Sequence, residues 1–267
     1  MTGDGLTGDG FMRVIPVLLT MLAGGFLLLP VAALVMHTGG AGPGAYFAPD
    51  VRTFLFTSLE ATVYSMAVIL SLGTVAGYML ARRKGAAWRV LEFLLMIPLL
   101  LPPLVIGLLM IYVYGPYGLV GQWLAHFRLS VTNTLLAVVI AQIYEAMPYY
   151  LFAAQGAFSQ VDESLERTSQ SLGRPPLQTF FRITLPLAAP GLTAGFAMAF
   201  ARSIGAFGAV IVVAYYPHTL PVATWIALEE QGLPSALLLT VIFLLAALPL
   251  PLILLLWRRL RHAGSLL

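Results

Sequence analysis

Six stretches of this chain run for about the thickness of a membrane with almost no charge, and that one feature excludes most of what 267 residues could become. They cover residues 14–36, 61–81, 93–114, 134–158, 183–216 and 235–256. The fourth is interrupted only by Glu145 and the fifth only by Arg202. A span of the hydrocarbon core needs about 20 predominantly apolar residues in a helix. Lipid offers backbone groups no partners, so a spanning segment must be a helix or part of a closed barrel, and barrel strands are short and alternate. Charged residues make up 9% of the chain, against about 25% in soluble domains. Too few charges remain to cover a water-facing surface. The expectation is an all-α membrane protein with six transmembrane helices.

Basic residues set the direction. With the N-terminus in the cytoplasm, eleven of the fourteen face inward: Arg13, Arg82, Arg83, Lys84, Arg89, Arg167, Arg174, Arg182, Arg258, Arg259 and Arg261. Arg52 and Arg128 fall outside and Arg202 lies within the membrane. Cytoplasmic loops carry the excess of lysine and arginine, so N-in, C-in is expected. The net charge of +3 suits inner-leaflet lipid better than nucleic acid. Residues 1–12, with a repeated Thr-Gly-Asp-Gly, are expected as a flexible N-terminal tail, and residues 13–267 as one transmembrane domain. The chain has no cysteine, and its four histidines are scattered, so thiol chemistry is excluded and no metal site is expected.

The polar cytoplasmic loop at 159–182 is the most informative segment. Asp162, Glu163 and Glu166 lie in an early helical turn, where carboxylates suit a helix N-terminus. Gly173 and then Arg174-Pro175-Pro176 end that helix. Two readings are open from these residues: a docking element for a soluble partner, or a plain connection.

Gly173, nine residues, Ile183, one residue, then Leu185-Pro186 resembles the loop of binding-protein-dependent ABC importer permeases that forms their coupling helix. The family's Glu-Ala-Ala falls here on Arg167-Thr168-Ser169. The resemblance extends over residues 54–227. The proline-rich 98–107 stretch is similar to the third span of molybdate- and sulfate-type permeases, as is Phe200-Ala201-Arg202-Ser203-Ile204-Gly205-Ala206-Phe207-Gly208-Ala209 to a stretch of their fifth span. Ala206 stands where that stretch has glutamate.

The resemblance implies a type I ABC importer permease in a bacterial or archaeal cytoplasmic (inner) membrane. It implies a second permease (a copy or a paralogue), two cytoplasmic ATPase subunits and an extracytoplasmic substrate-binding protein. ATP and magnesium would sit on the ATPase, with no cofactor on this chain. An ATPase contact is expected from Glu163, Glu166, Arg167, Thr168, Gly173 and Arg174. The cargo implied is an oxyanion (molybdate, tungstate or sulfate); a ferric ion, thiamine or a polyamine is the alternative for the same machine.

Within the membrane, Glu145 and Arg202 are expected to pair, since isolated charge there is costly. The pair either fixes two spans together or lends positive potential to an anion path. Phe196, Phe200, Ser203 and Phe207 share one face at helical spacing, either as packing or as an apolar gate. Pro98, Pro102 and Pro103 must kink or break the third span. Gly73 and Gly77 are spaced for close helix packing. Residues 220–228 are apolar enough to lie along the outer leaflet. No glycine-rich phosphate loop and no nucleophile–base set is present, so the chain is not expected to be an enzyme. An ion-coupled secondary transporter would need several deep acids in paired halves, and only one deep acid is present.

Overall fold

The computed structural model of the chain describes residues 6–38, 49–127, 129–254 and 256. Arg128, the tail arginines Arg258, Arg259 and Arg261, and residues 1–5 lie outside them. Every regular element among the described residues is helical. Helix α1 is Leu6–Thr38 and so begins within the stretch expected as a tail. Helix α2, Pro49–Arg82, begins well before the expected residue 61. Glu60 ends the apolar run but not the backbone: it is exposed, and no glycine or proline interrupts the helix before Gly73.

The third span is a bent pair, α3 (Ala86–Leu100) and α4 (Pro103–Tyr114), with 111° between them. Pro98 sits inside α3 without breaking it. The break falls on Leu101 and Pro102, both extended (ψ 132° and 140°), because each precedes a proline, whose ring disfavours the α region in the residue before it. A short α5 (Leu119–His126) follows, and then α6 (Leu135–Ser159), whose N-cap Thr134 accepts from the Ala137 N–H. The expected cytoplasmic loop holds α7 (Glu163–Ser171) and α8 (Pro176–Thr179). A π-turn, Phe180–Thr184, leads into α9 (Leu185–Ile204).

The fifth span expected at 183–216 is one membrane-length stretch, Pro176–Val213, but its helix is interrupted. It breaks after Ile204, and α10 (Gly208–Val213) starts a second helical piece. The Ala206 N–H reaches back only three residues, to Ser203 O, and Phe207 leaves helical geometry with φ −125°. Helices α11 (Leu220–Gln231) and α12 (Leu233–Ala247) complete the order. Five helical stretches are long and apolar enough to cross a membrane among the described residues, and six when the bent pair counts as one.

Helix α6 is the centre. Lipid tails are as apolar as leucine, so close van der Waals contact and small residues join membrane helices. A Cβ on Gly77 of α2 would lie 2.8 Å from the Ala154 Cβ, and one on Gly195 of α9 would lie 2.6 Å from the Ala153 Cβ. Small residues thus seat α6 between α2 and α9. Two cores meet along it. One joins Val138, Val139 and Ala141 to Ile106 and Met110 of α4 and Val210 and Val213 of α10. The other joins Ala146, Tyr150, Ala154 and Phe158 to Met66 and Ile69 of α2 and Leu192, Phe200 and Ile204 of α9. Helix α11, which holds the apolar residues 220–228, packs one face on the other helices and leaves Trp225 and Leu228 exposed. Leu220, Ala223 and Ala227 are buried with Val51 of α2 and Leu239 and Ile242 of α12, because its apolar residues find a groove between these two helices. Helix α1 packs mainly on α12 and is exposed along most of its length.

Candidate functional site

Two places carry chemistry, one at each end of the lower half of α6. The first is the loop after Ser159. Asp162 caps α7 by accepting from the Ser164 N–H at 2.8 Å, which holds its carboxyl below the ordinary value. Glu163 and Arg167 pair one turn apart at 2.9 Å on the exposed side. Gly173 takes φ +84°, a left-handed conformation that ends the helix and that side chains rarely adopt. Ser169 and Thr179 share a hydrogen bond of 2.9 Å that folds α8 back on α7.

Glu166 departs from its expected place. It points inward, its side chain 10% exposed, because it is the acceptor for a cation on another helix. Arg82, the last residue of α2, donates from Nη2 to Glu166 Oε1 at 2.7 Å and from Nε to both oxygens at 3.3 Å. The same guanidinium donates to the Phe158 and Val161 carbonyls at 3.0 and 3.1 Å, so it also holds the turn in which α6 ends, where the Phe158 carbonyl already accepts from the Val161 N–H. Thr184 Oγ1 donates to Glu166 at 2.8 Å and Tyr78 Oη at 3.3 Å. Burial pushes the Glu166 carboxyl up, but the Arg82 and Thr184 hydrogen bonds outweigh it and hold the group below the ordinary carboxylate value. One carboxylate thus ties α2, the end of α6, the loop and the start of α9 together. Glu163, Arg167, Thr168, Gly173 and Arg174 remain on the outer side, with Leu165, Leu172 and Leu177 exposed beside them.

The second place lies where the two cores meet. Glu145 and Arg202 pair, Oε2 to Nη2 at 2.7 Å, with the glutamate side chain fully buried and the arginine 29% exposed. The contact lacks hydrogen-bond alignment, and Glu145 Oε2 and Arg202 Nε have no hydrogen-bond partner among the described residues. Glu145 Oε1 accepts from the Ala209 N–H at 3.1 Å. The carboxylate therefore straddles the break in the fifth span, holding Arg202 before it and the start of α10 after it. Gly208 lets that start approach the bend of the third span: a Cβ there would lie 2.7 Å from the Pro103 Cβ. The two broken spans cross at this point.

A buried polar belt lies alongside. Ser203 shares a 2.8 Å hydrogen bond with Ser65 of α2, and Ser65 donates to Gln142 of α6 at 3.0 Å. The aromatic stripe is cut by the break. Phe196 and Phe200 stack at 6.3 Å in one core, whereas Phe207 lies beyond the helix end and meets Trp225 at 5.7 Å with the other core. The 100° spacing fails for Phe207 because α9 stops at Ile204.

Sequence reasoning brought Glu145 and Arg202 together. It missed Arg82, Tyr78 and Thr184 as partners of Glu166, and Ser65 and Gln142 as partners of Ser203. For Arg82 the signal did not discriminate: it stands at a helix end, but Arg83, Lys84 and Arg89 follow it closely.

Comparison with known proteins places these features. The family described as binding-protein-dependent transport system inner membrane component matches residues 71–262. The chain is 39% identical over 223 residues to a probable molybdenum ABC transporter permease protein of Haloferax volcanii, covering 82% of this chain and 81% of the relative. It is 29% identical over 231 residues to the sulfate transport system permease protein of Escherichia coli, covering 83% of each. Among solved structures, a bacterial alginate ABC transporter in complex with an alginate pentasaccharide-bound periplasmic protein shares the fold. Its TM-score is 0.74 at 14% identity, over 93% of this chain and 94% of that one.

Proposed function

The chain belongs to the family of binding-protein-dependent transport system inner membrane components, and from that membership we propose that it forms half of the path of an ATP-driven oxyanion importer. It is a multi-pass inner-membrane protein and a transport component. A second permease completes the path, and two ATPase subunits dock on the 159–182 loops from the cytoplasm. A binding protein delivers molybdate, tungstate or sulfate to the outer face. The similarity to a molybdenum and a sulfate permease supports that cargo class.

The observation that carries this reading is the orientation of residues on α7. Glu166 is buried against the membrane helices and Ser169 against α8, while Leu165, Thr168 and Leu172 are exposed. A helix that is braced on one side and bears exposed leucines on the other has the form of a joint between two bodies. In this mechanism, ATP-driven closure of the ATPases draws the two loops together. The brace passes that movement into α2, α6 and α9. The crossing of the broken spans then opens outward, and hydrolysis returns it. Arg202, with Nε unmatched and its side chain partly exposed, supports a positive potential beside an anion path.

Copurification tests the reading. The cognate ATPase should come down with the wild-type chain and be lost with Leu172→Glu, which places a charge on the exposed face without touching the brace. Retention of the ATPase by that variant removes the loop as the joint. For the cargo, calorimetry of the cognate binding protein should give heats with molybdate, tungstate or sulfate. Binding of a cation instead would reject the oxyanion class.

A further inference from the structure

Between the end of α2 and the start of α3 lies a cavity of about 290 Å³ lined by Leu80, Arg83, Lys84, Gly85, Trp88, Arg89 and Glu92. Gly85, at φ +138°, turns the chain so that Arg83 and Lys84 of the link and Arg89 of α3 line one space. Arg83, Lys84 and Arg89 enter no ion pair or side-chain hydrogen bond among the described residues. Glu92, the one acid of the lining, is already engaged by Gln155 Nε2 at 2.8 Å. Three cations without ion pairs, set against the single carboxylate of Glu92, and an indole therefore surround a space of headgroup size and leave it a positive excess. None of them belongs to the Arg82 brace or to the Glu145 crossing.

We infer that this cavity holds the phosphate headgroup of an anionic phospholipid of the inner leaflet. The inference rests on the inward orientation of this loop used in the proposed function. What favours a lipid over a free anion is the surface that continues from the cavity. On α3, Phe93, Met96 and Leu100 follow Arg89 at spacings of four, three and four residues, so they descend one face below it. They are 62%, 43% and 73% exposed. A headgroup bound at Arg89 thus has an apolar track beneath it for its acyl chains. Trp88 sits at the level where amphipathic rings collect at a membrane surface. Basic pockets between helix ends on the cytoplasmic side are the usual form of anionic headgroup sites. Inorganic phosphate would use the cations and leave the track idle.

The test uses the permease–ATPase complex in phosphatidylcholine nanodiscs doped with a photoactivatable phosphatidylglycerol, the labelled peptide being read by mass spectrometry. Label is expected on the 80–100 segment, competed by phosphatidylglycerol but not by phosphatidylcholine or inorganic phosphate. Arg89→Gln should lower labelling about five-fold, and Arg83→Gln with Arg89→Gln about thirty-fold. The corresponding lysine substitutions should keep it. Equal labelling by a phosphatidylcholine probe, competition by inorganic phosphate, or unchanged labelling of the double glutamine variant each overturns the proposal. Loss of the ATPase from that variant also overturns it, since the cations would then meet the partner. If the ATPase fails to copurify with the wild-type chain, the importer reading fails, and the labelling pattern still answers for the lipid.

Discussion

Two arginine–glutamate contacts of the same length, 2.7 Å, lie at the two ends of the lower half of α6, and they are built differently. At the loop, Glu166 is held by Arg82, Thr184 and Tyr78, and Arg82 spends its remaining donors on two carbonyls. At the crossing, Glu145 has one charged contact and one backbone N–H, and Arg202 keeps an unmatched Nε. A buried pair holds well only when its other donors and acceptors are also satisfied. The first pair meets that condition and suits a part that must not deform. The second meets it partly and suits a part that changes partners as the path opens.

The widest gap between the two should come from Arg82→Ala. It leaves the buried Glu166 without its counter-ion and takes a donor from the Phe158 and Val161 carbonyls, and removing one partner of a buried pair destabilises by about 3–5 kcal/mol. Thermal unfolding in detergent and ATPase copurification should both fall. A variant that melts like wild type would make the two pairs equivalent and end the comparison. Glu145→Ala should have a smaller effect, about 1.5–3 kcal/mol for the lost charged hydrogen bond, because Arg202 is partly exposed and can hydrate. Exchanging the two charges, Glu145→Arg with Arg202→Glu, should recover only part of that loss. The exchange rebuilds the ion pair but leaves the Ala209 N–H without its acceptor. Recovery to wild-type stability would show that Glu145 acts only as a counter-ion.

Thr184→Val removes one of several donors to Glu166 and should lower stability by about 1 kcal/mol. A neutral outcome would mean that Arg82 alone holds the loop. The smallest effect is on pH. The folded pKa of Glu166 lies below the ordinary carboxylate value, so its contribution is fully present above that ordinary value and is lost as pH falls through the lower, folded one. Copurification of the ATPase should therefore be flat through mild acid and decline only below the usual carboxylate range. Glu166→Gln should lack that decline; the same decline in Glu166→Gln would assign it to another group.

The spans were legible because lipid demands length and apolarity, and both are written locally in the chain. The Glu145–Arg202 pair was legible because each is a rare deep charge and had few alternatives. Arg82–Glu166 was not: 84 positions separate them, and each lies among other loop charges that would have served as well on paper. The bend at Pro102–Pro103 was announced by residues that cannot continue a helix. The break at Gly205–Phe207 was hidden, since glycine inside an apolar run is tolerated in a membrane helix. Its cause is tertiary: the start of α10 is held by Glu145 and by the close approach to Pro103.

Helix α6 has a mechanical consequence. It runs unbroken from Leu135 to Ser159, clasped on both sides, with Pro148 its only residue lacking an N–H. Glu145 sits 14 residues above the Ser159 end, about 21 Å along the axis at 1.5 Å per residue. The helix is then a lever with its handle at the brace and its tip at the crossing. On that arm a tilt of about 5° carries the tip about 2 Å, roughly the play needed to part an ion contact. A stroke that small at the handle needs no relay of side chains through the bilayer.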